Sequence, residues 1–393
     1  MRDVSSWVHQ RTRDGEPVCF YAHDLAALRA HVRSVVEALP EPCRMFYAAK
    51  ANTGAPLLAA LGSEVAGFEV ASGGELAKVR AAAPGSPVVM GGPIPTPSEI
   101  DAGLAAGVLR FHVESLLGLH RISRAATAAG VTAQVLLRVN LAGPFPAATL
   151  AMAGRPTQFG IDEADLPDVI RAALTLPGIH LAGFHLHSLS NNLSAETHLT
   201  MLELYRDTVL AWEQRFGLRV TTVDVGGGVG VDYGDLDRPF DWATFTARLR
   251  DWVDTLPDHW EEIDFECGRF LVAECAAYAV EVLDVKHTHG RAYALVRGGT
   301  HQFRLPSSWQ HSHPFDVVPV EHWDPTLPRP EAAAEEVTVC GELCTPKDVL
   351  AVEYVTRIRA GDVLVFRAAG AYGWEISHHD FLSHPHPEQL WIG

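Results

Sequence analysis

Short apolar runs alternate with amphipathic stretches through the first two thirds of the chain. The runs are four to eight residues long, as buried strands are, and the stretches between them have helical spacing. The predicted strands are residues 45–49, 67–71, 88–91, 109–113, 134–139, 180–187, 221–225 and 263–266, and the predicted helices are 24–39, 73–83, 97–106, 114–129, 165–176, 194–216 and 242–255. Strands that alternate with helices form a parallel sheet, and eight such units fit a (β/α)8 barrel better than an open sheet.

The pattern changes after Gly268, where short strands follow one another with few helical stretches. The strands predicted here are 280–284, 292–296, 336–340, 348–354 and 362–367, and the proline-rich residues 321–335 are expected to form a surface loop. We therefore predict a barrel over residues 22–265 and a second domain, a β-sandwich or β-barrel, over 266–393. Residues 1–21, which end in a short strand, are expected to complete the second domain.

Composition and charge exclude several classes of function. The chain has 393 residues, 47% of them hydrophobic, which is enough for two filled cores. Its formal charge of −17 argues against nucleic acid as a partner, since a phosphate backbone needs a basic face. No apolar run approaches the length of a membrane span and no signal peptide is evident, so we expect a cytoplasmic protein without a membrane partner.

The six cysteines are too sparse and irregular for a disulfide framework. Cys340 and Cys344 form a CxxxC pair, but no second pair stands at zinc spacing. We therefore predict no metal site.

Polar side chains collect where the predicted barrel strands end. Lys50 follows the first strand, and the others are Glu69, Arg138, His187, Glu266 and Arg269. Barrel enzymes place their chemistry at these ends. Taken alone, Lys50 has two interpretations: an amine nucleophile activated by burial, or a lysine whose stem packs on the strand and whose amine reaches solvent.

Two further segments, Gly226–Gly228 and Glu266-Cys267-Gly268-Arg269, also have both a functional and a purely structural interpretation. Backbone N–H groups of successive glycines can bind a phosphate, or the run can serve only a tight turn. No Lys-Ser/Thr pair follows, which argues against a nucleoside triphosphate. Glu266 and Arg269 suit a heterocyclic N–H and a phosphate, or an ordinary ion pair. His187 could stack on a planar cofactor or be a satisfied core histidine.

Taken together and in order, these segments resemble the fold-type III pyridoxal-phosphate decarboxylases, the group of diaminopimelate, ornithine and arginine decarboxylases. The resemblance spans nearly the whole chain. The motifs that carry it are Tyr47-Ala-Ala-Lys50-Ala-Asn52, Val70-Ala-Ser-Gly-Gly-Glu75, His185-Leu-His187-Ser-Leu-Ser190, Asp224-Val-Gly-Gly-Gly228, Glu266-Cys-Gly-Arg269, Cys340-Gly-Glu-Leu-Cys344 and Gly370-Ala-Tyr372. The fold it implies is an alanine racemase-like barrel with a C-terminal β-domain.

The resemblance implies a role for each matching residue. Lys50 would form a Schiff base with pyridoxal 5'-phosphate, His187 would stack on the ring, and Glu266 would pair with the pyridine nitrogen. Glu69 and Arg138 would support the ring and the lysine. The phosphate would be held by Ser190, Gly227, Gly228, Arg269 and Tyr372. Cys344 would be delivered across a homodimer interface to protonate the substrate carbon in the partner's site.

The substrate is suggested by a departure from the basic amino-acid decarboxylases. Those enzymes carry an acid where this chain has Thr345, and the acid binds the distal amine of the substrate. The sequence around Thr345 is closer to the branch found with citrate-type siderophore synthesis, in which the amino acid is joined to citrate. Arg304, His311 and His313 could bind the additional carboxylates, and Glu342 and Thr345 are further candidates for contact with the substrate.

The alternatives are a decarboxylase of diaminopimelate or another simple amino acid, an amino-acid racemase, and a non-catalytic cofactor carrier. In the related alanine racemases an arginine replaces Glu266, so Glu266 argues against racemisation. The carriers resemble the barrel alone, so the β-domain argues against a carrier.

Overall fold

The computed structural model describes residues 4–143, 145, 150–151 and 156–393 of the chain. The described residues within 29–231 and 239–271 form one compact unit, and those within 1–28, 232–238 and 272–393 form the other. Residues 22–28, 232–238 and 266–271 thus fall on the other side of the division from the expected ranges.

Helices and strands are numbered along the chain. The helices are α1 Val4–Asp14, α2 Leu25–Glu37, α3 Ala55–Leu61, α4 Gly73–Ala82, α5 Pro97–Ala105, α6 Leu116–Ala129, α7 Leu166–Thr175, α8 Ala195–Phe216, α9 Trp242–Val253, α10 Arg269–Val272 and α11 Leu305–Trp309. The strands are β1 Cys19–Asp24, β2 Cys43–Ala48, β3 Gly67–Val70, β4 Val88–Met90, β5 Arg110–Val113, β6 Ala133–Asn140, β7 Leu150–Ala151, β8 Ile161–Asp162, β9 Ile179–His185, β10 Leu189–Ser190, β11 Thr222–Asp224, β12 Glu262–Cys267, β13 Ala276–Thr288, β14 Arg291–Val296, β15 Phe315–Val318, β16 Glu331–Cys340, β17 Val349–Arg359, β18 Val363–Phe366 and β19 Glu388–Ile392.

The first unit is a closed parallel barrel. Its strands pair in the order β5-β4-β3-β2-β12-β11-β9-β6, and the pairing of β5 with β6 closes the ring. Each of the eight strands overlaps a run predicted from the sequence, so the (β/α)8 prediction is confirmed. Because the strands are parallel, their carboxyl ends open on one face of the barrel.

Side chains of the central barrel strands are buried, as expected when helices cover the outer face and the interior is filled. Phe46, Phe68, Phe184 and Phe265 are fully buried. The interior also holds an ionic layer: Arg110 on β5 pairs with Asp264 and Glu262 of β12, and Arg44 Nε donates to Asp264 Oδ1 over 2.9 Å. Each buried charge therefore has a partner of opposite sign.

The second unit is built on a mixed sheet with the order β15-β18-β13-β14-β16-β17, and β1 pairs with β13 and β19. The N-terminal strand β1 runs antiparallel to β13 in this sheet. Helix α1, which the sequence pattern did not predict, packs Val4 and Val8 into the core of this sheet. The predicted loop 321–335 is shorter than expected, since β16 begins at Glu331.

Within the described ranges, no helix is both long and apolar enough to cross a membrane.

Candidate active site

Lys50 lies in a single 3-10 turn, Ala49–Ala51, immediately after strand β2. Its Nζ donates to Glu69 Oε2, at the end of the neighbouring strand β3, over 2.7 Å. The lysine side chain is 46% exposed, whereas that of Glu69 is 6% exposed. Burial raises the pKa of the Glu69 carboxyl, and the Lys50 ammonium acts in the opposite direction. The amine therefore faces the open end of the barrel with a buried carboxylate holding it.

Arg138, near the end of β6, is fixed by a carboxylate that the sequence analysis did not select. Its Nη1 donates to Glu114 Oε1 over 2.6 Å, and Glu114 Oε2 accepts the N–H of Gly160 over 2.7 Å. The guanidinium also lies 5.1 Å from the ring centre of Phe159, within cation–π distance. Glu114 thus joins the strand end to the segment that follows β6.

The glycine run forms a tight loop after β11 that leaves no room for side chains. A Cβ on Gly227 would lie 2.1 Å from the carbonyl oxygen of Glu266, and one on Gly226 would lie 2.4 Å from His187 Nδ1. Gly226 and Gly228 also have positive φ angles of 68° and 94°. Backbone alone can therefore line this part of the barrel mouth, as phosphate binding requires.

His187 is oriented by this loop. The N–H of Gly227 donates to His187 Nδ1 over 3.1 Å, which leaves the ring proton of the neutral imidazole on Nε2. Burial, together with the charge of Arg138, holds the pKa of His187 well below its usual range. The ring is neutral and held in one tautomer, a suitable state for stacking on a cofactor ring.

Four buried titratable side chains meet inside the barrel, and we call them the interior quartet: His112, His185, Asp224 and Glu266. Their burial is nearly complete, with Asp224 at 0% and Glu266 at 8% exposed. His112 Nδ1 lies 3.3 Å from Glu266 Oε1, and His112 Nε2 lies 3.5 Å from Asp224 Oδ2. His185 Nε2 lies 3.3 Å from Glu266 Oε2.

The quartet stands apart from the ionic layer, although both use the same strands. Residues two apart on a strand face the same side, so Arg110 and His112 both point inward from β5, as do Asp264 and Glu266 from β12. In the ionic layer both terminal nitrogens of Arg110 donate to carboxylates, and only its Nε lacks a partner among the described residues. In the quartet both nitrogens of His112 and Glu266 Oε1 have no aligned hydrogen-bond partner among the described residues, although the distances are short.

The pKa values follow from this burial. The imidazoles of His112 and His185 have pKa values well below the usual range, chiefly through desolvation. The pKa of Asp224 is well above its usual range because of burial and the nearby carboxylates Glu266 and Asp264. At neutral pH the imidazoles are therefore neutral, and Asp224 takes up a proton more readily than an exposed aspartate.

In the β-domain, Cys344 is exposed on the loop between β16 and β17. Asp348 fixes this loop: its Oδ1 accepts the N–H of Thr300 over 2.6 Å and its Oδ2 accepts the N–H of Leu343 over 2.9 Å. The backbone approach at Gly341 is so close that a Cβ there would lie 2.4 Å from the Cα of Gly299. Cys344 is thus exposed at its thiol and constrained at its backbone.

The other residues expected to touch the substrate have different surroundings. Arg304 is exposed and its Nη1 donates to His378 Nδ1 over 3.3 Å. Thr345 is half-buried, and Glu342 Oε1 accepts the N–H of Gly298 over 2.9 Å. His313 is buried, and its two nitrogens already bond to His311 and to the carbonyl of Arg367. The suggestion that His313 binds substrate therefore gains no support here.

His311 instead lines a groove of about 710 Å³ within the β-domain, where it stacks on Tyr233 with ring centres 5.0 Å apart. Tyr372 has a φ of +55°, an unusual conformation for a bulky residue, beside a glycine at position 370 with no room for a Cβ. Ser190 ends strand β10, and Arg269 is buried at the start of α10.

The barrel therefore gathers Lys50, Glu69, Arg138, His187 and Glu266 at its carboxyl end, around residues that the sequence analysis missed: His112, Glu114 and Asp224. The sequence does contain a pattern that indicates two of them, His112 and Glu114. Arg110, His112 and Glu114 alternate along an otherwise apolar segment, and side chains two apart share the inward face of a strand. Three inward polar groups on one buried segment indicate a functional interior.

A barrel with a lysine at one strand end, a side-chain-free glycine loop and a buried carboxylate defines a pyridoxal-phosphate enzyme of the barrel class. The family profile "Pyridoxal-dependent decarboxylase, pyridoxal binding domain" matches residues 25–273. The chain belongs to this family, the fold-type III pyridoxal-phosphate decarboxylases.

Relatives along the full length agree with this assignment. The chain is 46% identical to 2-[(L-alanin-3-ylcarbamoyl)methyl]-2-hydroxybutanedioate decarboxylase of Staphylococcus aureus, over 100% of this chain and 98% of that protein. It is 29% identical to L-glutamyl-[BtrI acyl-carrier protein] decarboxylase of Niallia circulans, over 94% and 88% of the two chains. The crystal structure of diaminopimelate decarboxylase from Helicobacter pylori superposes with a TM-score of 0.84 at 22% identity, covering 98% and 94%. This last likeness supports the fold.

Pyridoxal 5'-phosphate is the cofactor, and the residues present fit it. Glu266 Oε1 is a buried acceptor with no aligned donor among the described residues, as expected for a group that receives the N–H of a pyridinium ring. The Gly226–Gly228 loop excludes side chains where a phosphate would need backbone N–H groups. The chain is thus a pyridoxal-phosphate-dependent decarboxylase.

Proposed function

We propose that this decarboxylase acts on an amino acid joined to a citrate-type carboxylic acid. The observation that carries the proposal is the 46% identity, from end to end, to a relative named for a 2-hydroxybutanedioate linked to the carbon 3 of alanine. Such a substrate has an amino-acid end that reacts and a distal end that bears carboxylates. Thr345, which supplies no charge to bind a distal amine, supports the same conclusion.

When bound, pyridoxal phosphate supplies an electron sink for the electron pair left by the departing carboxylate. Lys50 would hold its aldehyde carbon, and Glu266 would hold its ring nitrogen. His187 would cover the ring face, with Arg138 and Glu69 supporting the ring and the lysine. Its phosphate would be held by Ser190, Gly227, Gly228, Arg269 and Tyr372.

The protein's own groups control protons and charge around this chemistry. Glu69 accepts a hydrogen bond from the Lys50 amine at 2.7 Å and so fixes its position. A carboxylate at Glu266 would hold the ring nitrogen in its protonated form, in which the ring is a stronger acceptor of charge. Cys344 of the partner subunit would donate the proton that replaces the lost carboxylate.

Arg304 and its neighbour His378 form the part of the β-domain best suited to bind the distal carboxylates. The guanidinium is exposed and carries a permanent charge in a chain of net charge −17. His378 accepts a hydrogen bond from Arg304 and would hold the guanidinium in position. Glu342 and Thr345, on the loop of Cys344, would border the same substrate.

The substrate proposal is tested by measuring carbon dioxide release from a citryl conjugate of 2,3-diaminopropionate and from free diaminopimelate, ornithine and lysine. We expect the conjugate to have the highest kcat/KM, by about two orders of magnitude, because each of the other substrates brings a distal ammonium group towards the permanent positive charge of Arg304. Efficient turnover of diaminopimelate with none of the conjugate would instead favour a simple amino-acid decarboxylase.

We also propose a homodimer with shared active sites. Mixing Lys50→Ala subunits with Cys344→Ala subunits should restore about a quarter of the native activity, because half of the dimers would be mixed and each would hold one intact site. If the mixture stays inactive although subunits exchange, Cys344 acts within its own chain or has no role.

A further inference from the structure

His112 lies between the two carboxylates of the interior quartet. Its Nδ1 faces Glu266 at 3.3 Å and its Nε2 faces Asp224 at 3.5 Å, and its ring centre is 4.4 Å from that of His185. Neither His112 nitrogen has another hydrogen-bond partner among the described residues. A neutral imidazole donates through one nitrogen and accepts through the other, so its position suits two carboxyl groups of which only one is charged.

Charge balance indicates which carboxyl group holds the proton. Asp224 and Glu266 are both buried inside the barrel, and two anions so close together would repel each other strongly. The ionic layer does little to stabilise a negative charge on Asp224, because Arg110 already pairs with Asp264 and Glu262. Asp224 Oδ1 accepts the N–H of Gly226 over 2.8 Å, which leaves Oδ2 as the oxygen that faces His112. A proton on Oδ2 would point to Nε2.

We propose that His112 is a positioning residue that links a protonated Asp224 to a charged Glu266 through its two ring nitrogens. In this arrangement Asp224 donates to His112 Nε2, and His112 Nδ1–H donates to Glu266. Glu266 is then the single anion of the quartet, and its Oε1, which has a second lone pair, can still receive the pyridinium N–H of the cofactor. The inference rests on the predicted pairing of Glu266 with that nitrogen.

The same four side chains offer an alternative, because one donor atom from each lies within 4.8 Å of the others. A buried metal ion would need one nitrogen of His112 directed at a common point. The two nitrogens instead face different carboxylates, at 3.3 Å and 3.5 Å, so that small rotations of the side chains would align a hydrogen bond on each side of the ring. Metal analysis of the purified protein is therefore part of the test.

The test compares His112→Leu and His112→Asn with the control His198→Gln in the holoenzyme. His198 is also a buried barrel histidine, but it packs edge-on against Phe240 and Phe245. The readouts are the dissociation constant for pyridoxal phosphate and the pH titration of its visible absorption band. In His112→Leu we expect roughly tenfold weaker binding from the lost hydrogen bonds. The midpoint of the pH titration should also move to higher pH in His112→Leu. A misplaced Glu266 would leave the ring nitrogen less protonated, and such a ring withdraws less charge from the linkage to Lys50.

Asp224→Asn is the decisive variant. An asparagine amide has the polarity of a protonated aspartic acid: its oxygen can accept from Gly226 and its NH2 group can donate to His112. We expect Asp224→Asn to keep cofactor affinity within about twofold and to keep the spectrum, whereas Asp224→Leu should resemble His112→Leu.

The proposal is overturned if His112→Leu and His112→Asn, both folded by circular dichroism, bind and titrate the cofactor like the native protein. It is also overturned if Asp224→Asn is as defective as Asp224→Leu, or if the protein carries one metal ion per chain that the His112 variants lose. None of these measurements uses a substrate. A failure of the conjugate to react would therefore contradict the proposed function and leave this inference standing.

Discussion

The barrel and the β-domain place their functional side chains in opposite surroundings. In the barrel, Glu69 and Glu266 are buried; Glu69 faces Lys50, which follows the adjacent strand β2, and Glu266 faces His185 of β9 across the interior. In the β-domain, Cys344 and Arg304 are exposed on loops whose backbone is held from below by Asp348. Strand ends fix position closely, whereas loops allow side chains to vary. The barrel therefore suits an invariant cofactor, and the β-domain suits the selection of a substrate.

The largest loss of activity is expected from a substitution in the barrel. Lys50→Ala should lower carbon dioxide release by at least about a thousandfold, because the covalent attachment of the cofactor is lost. The measurement is turnover together with borohydride reduction and peptide mass analysis. The control is Lys78→Ala, since Lys78 is an exposed lysine that bonds only Thr53 among the described residues. Cofactor still attached to the chain in Lys50→Ala would contradict the assignment.

A β-domain residue should affect the chemical step without affecting the cofactor. Cys344→Ala should reduce kcat about a hundredfold, as expected for loss of a general acid, while pyridoxal phosphate binds with native affinity. Cys344→Ser should be intermediate, and Cys340→Ala, on the adjoining strand, should stay near native. An unchanged kcat would remove Cys344 as the proton donor.

Acid should destabilise both units through their buried histidines. Burial lowers the pKa of His23 in the β-domain and of His198 in the barrel from 6.5 to about 4. Below pH 6.5 the unfolded chain binds protons that the folded chain does not, so stability falls as the pH falls from 6.5 towards 4. At pH 5 each histidine should cost about 2 kcal/mol.

Urea unfolding at pH 7 and pH 5 checks this effect. His23→Gln and His198→Gln should each lose less stability between the two pH values than the native protein does. The raised pKa of buried carboxyls such as Asp224 acts in the opposite direction, but equally in all three proteins. The same acid loss in native and variant proteins would show that these histidines are not the cause.

The smallest expected effect concerns substrate selection. Arg304→Gln should raise KM for the citryl conjugate about tenfold with little change in kcat, since a charge-assisted hydrogen bond would be lost in both the bound substrate and the transition state. Arg291→Gln, an exposed arginine on β14, is the control. A fall in kcat with unchanged KM would place Arg304 in the chemical step instead.

The sequence supported the barrel well because each strand and helix has its own local pattern. The helix predicted to begin at Asp24, for example, begins at Leu25, and Asp24 Oδ1 accepts the N–H of Ala27 over 2.8 Å at its start. Lys50 and Glu69 were found because each ends a strand. His112 and Asp224 were missed because their importance depends on which strands face one another across the barrel, and a single strand does not contain that information. Helix α1 was missed because only two of its residues, Val4 and Val8, are buried.

The close approach of Gly341 and Gly299 has a consequence for how this enzyme can change. Asp348 and the two glycines hold the backbone of the Cys344 loop, and the Thr345 side chain adds only a 3.3 Å bond from the N–H of Lys347. Glu342 differs, because its Oε1 also accepts the N–H of Gly298. Thr345 is therefore the position to vary in a library for new substrates, since Asp348 would still hold the loop that carries Cys344. The same independence would let related enzymes diverge in substrate by single steps while each intermediate remains active.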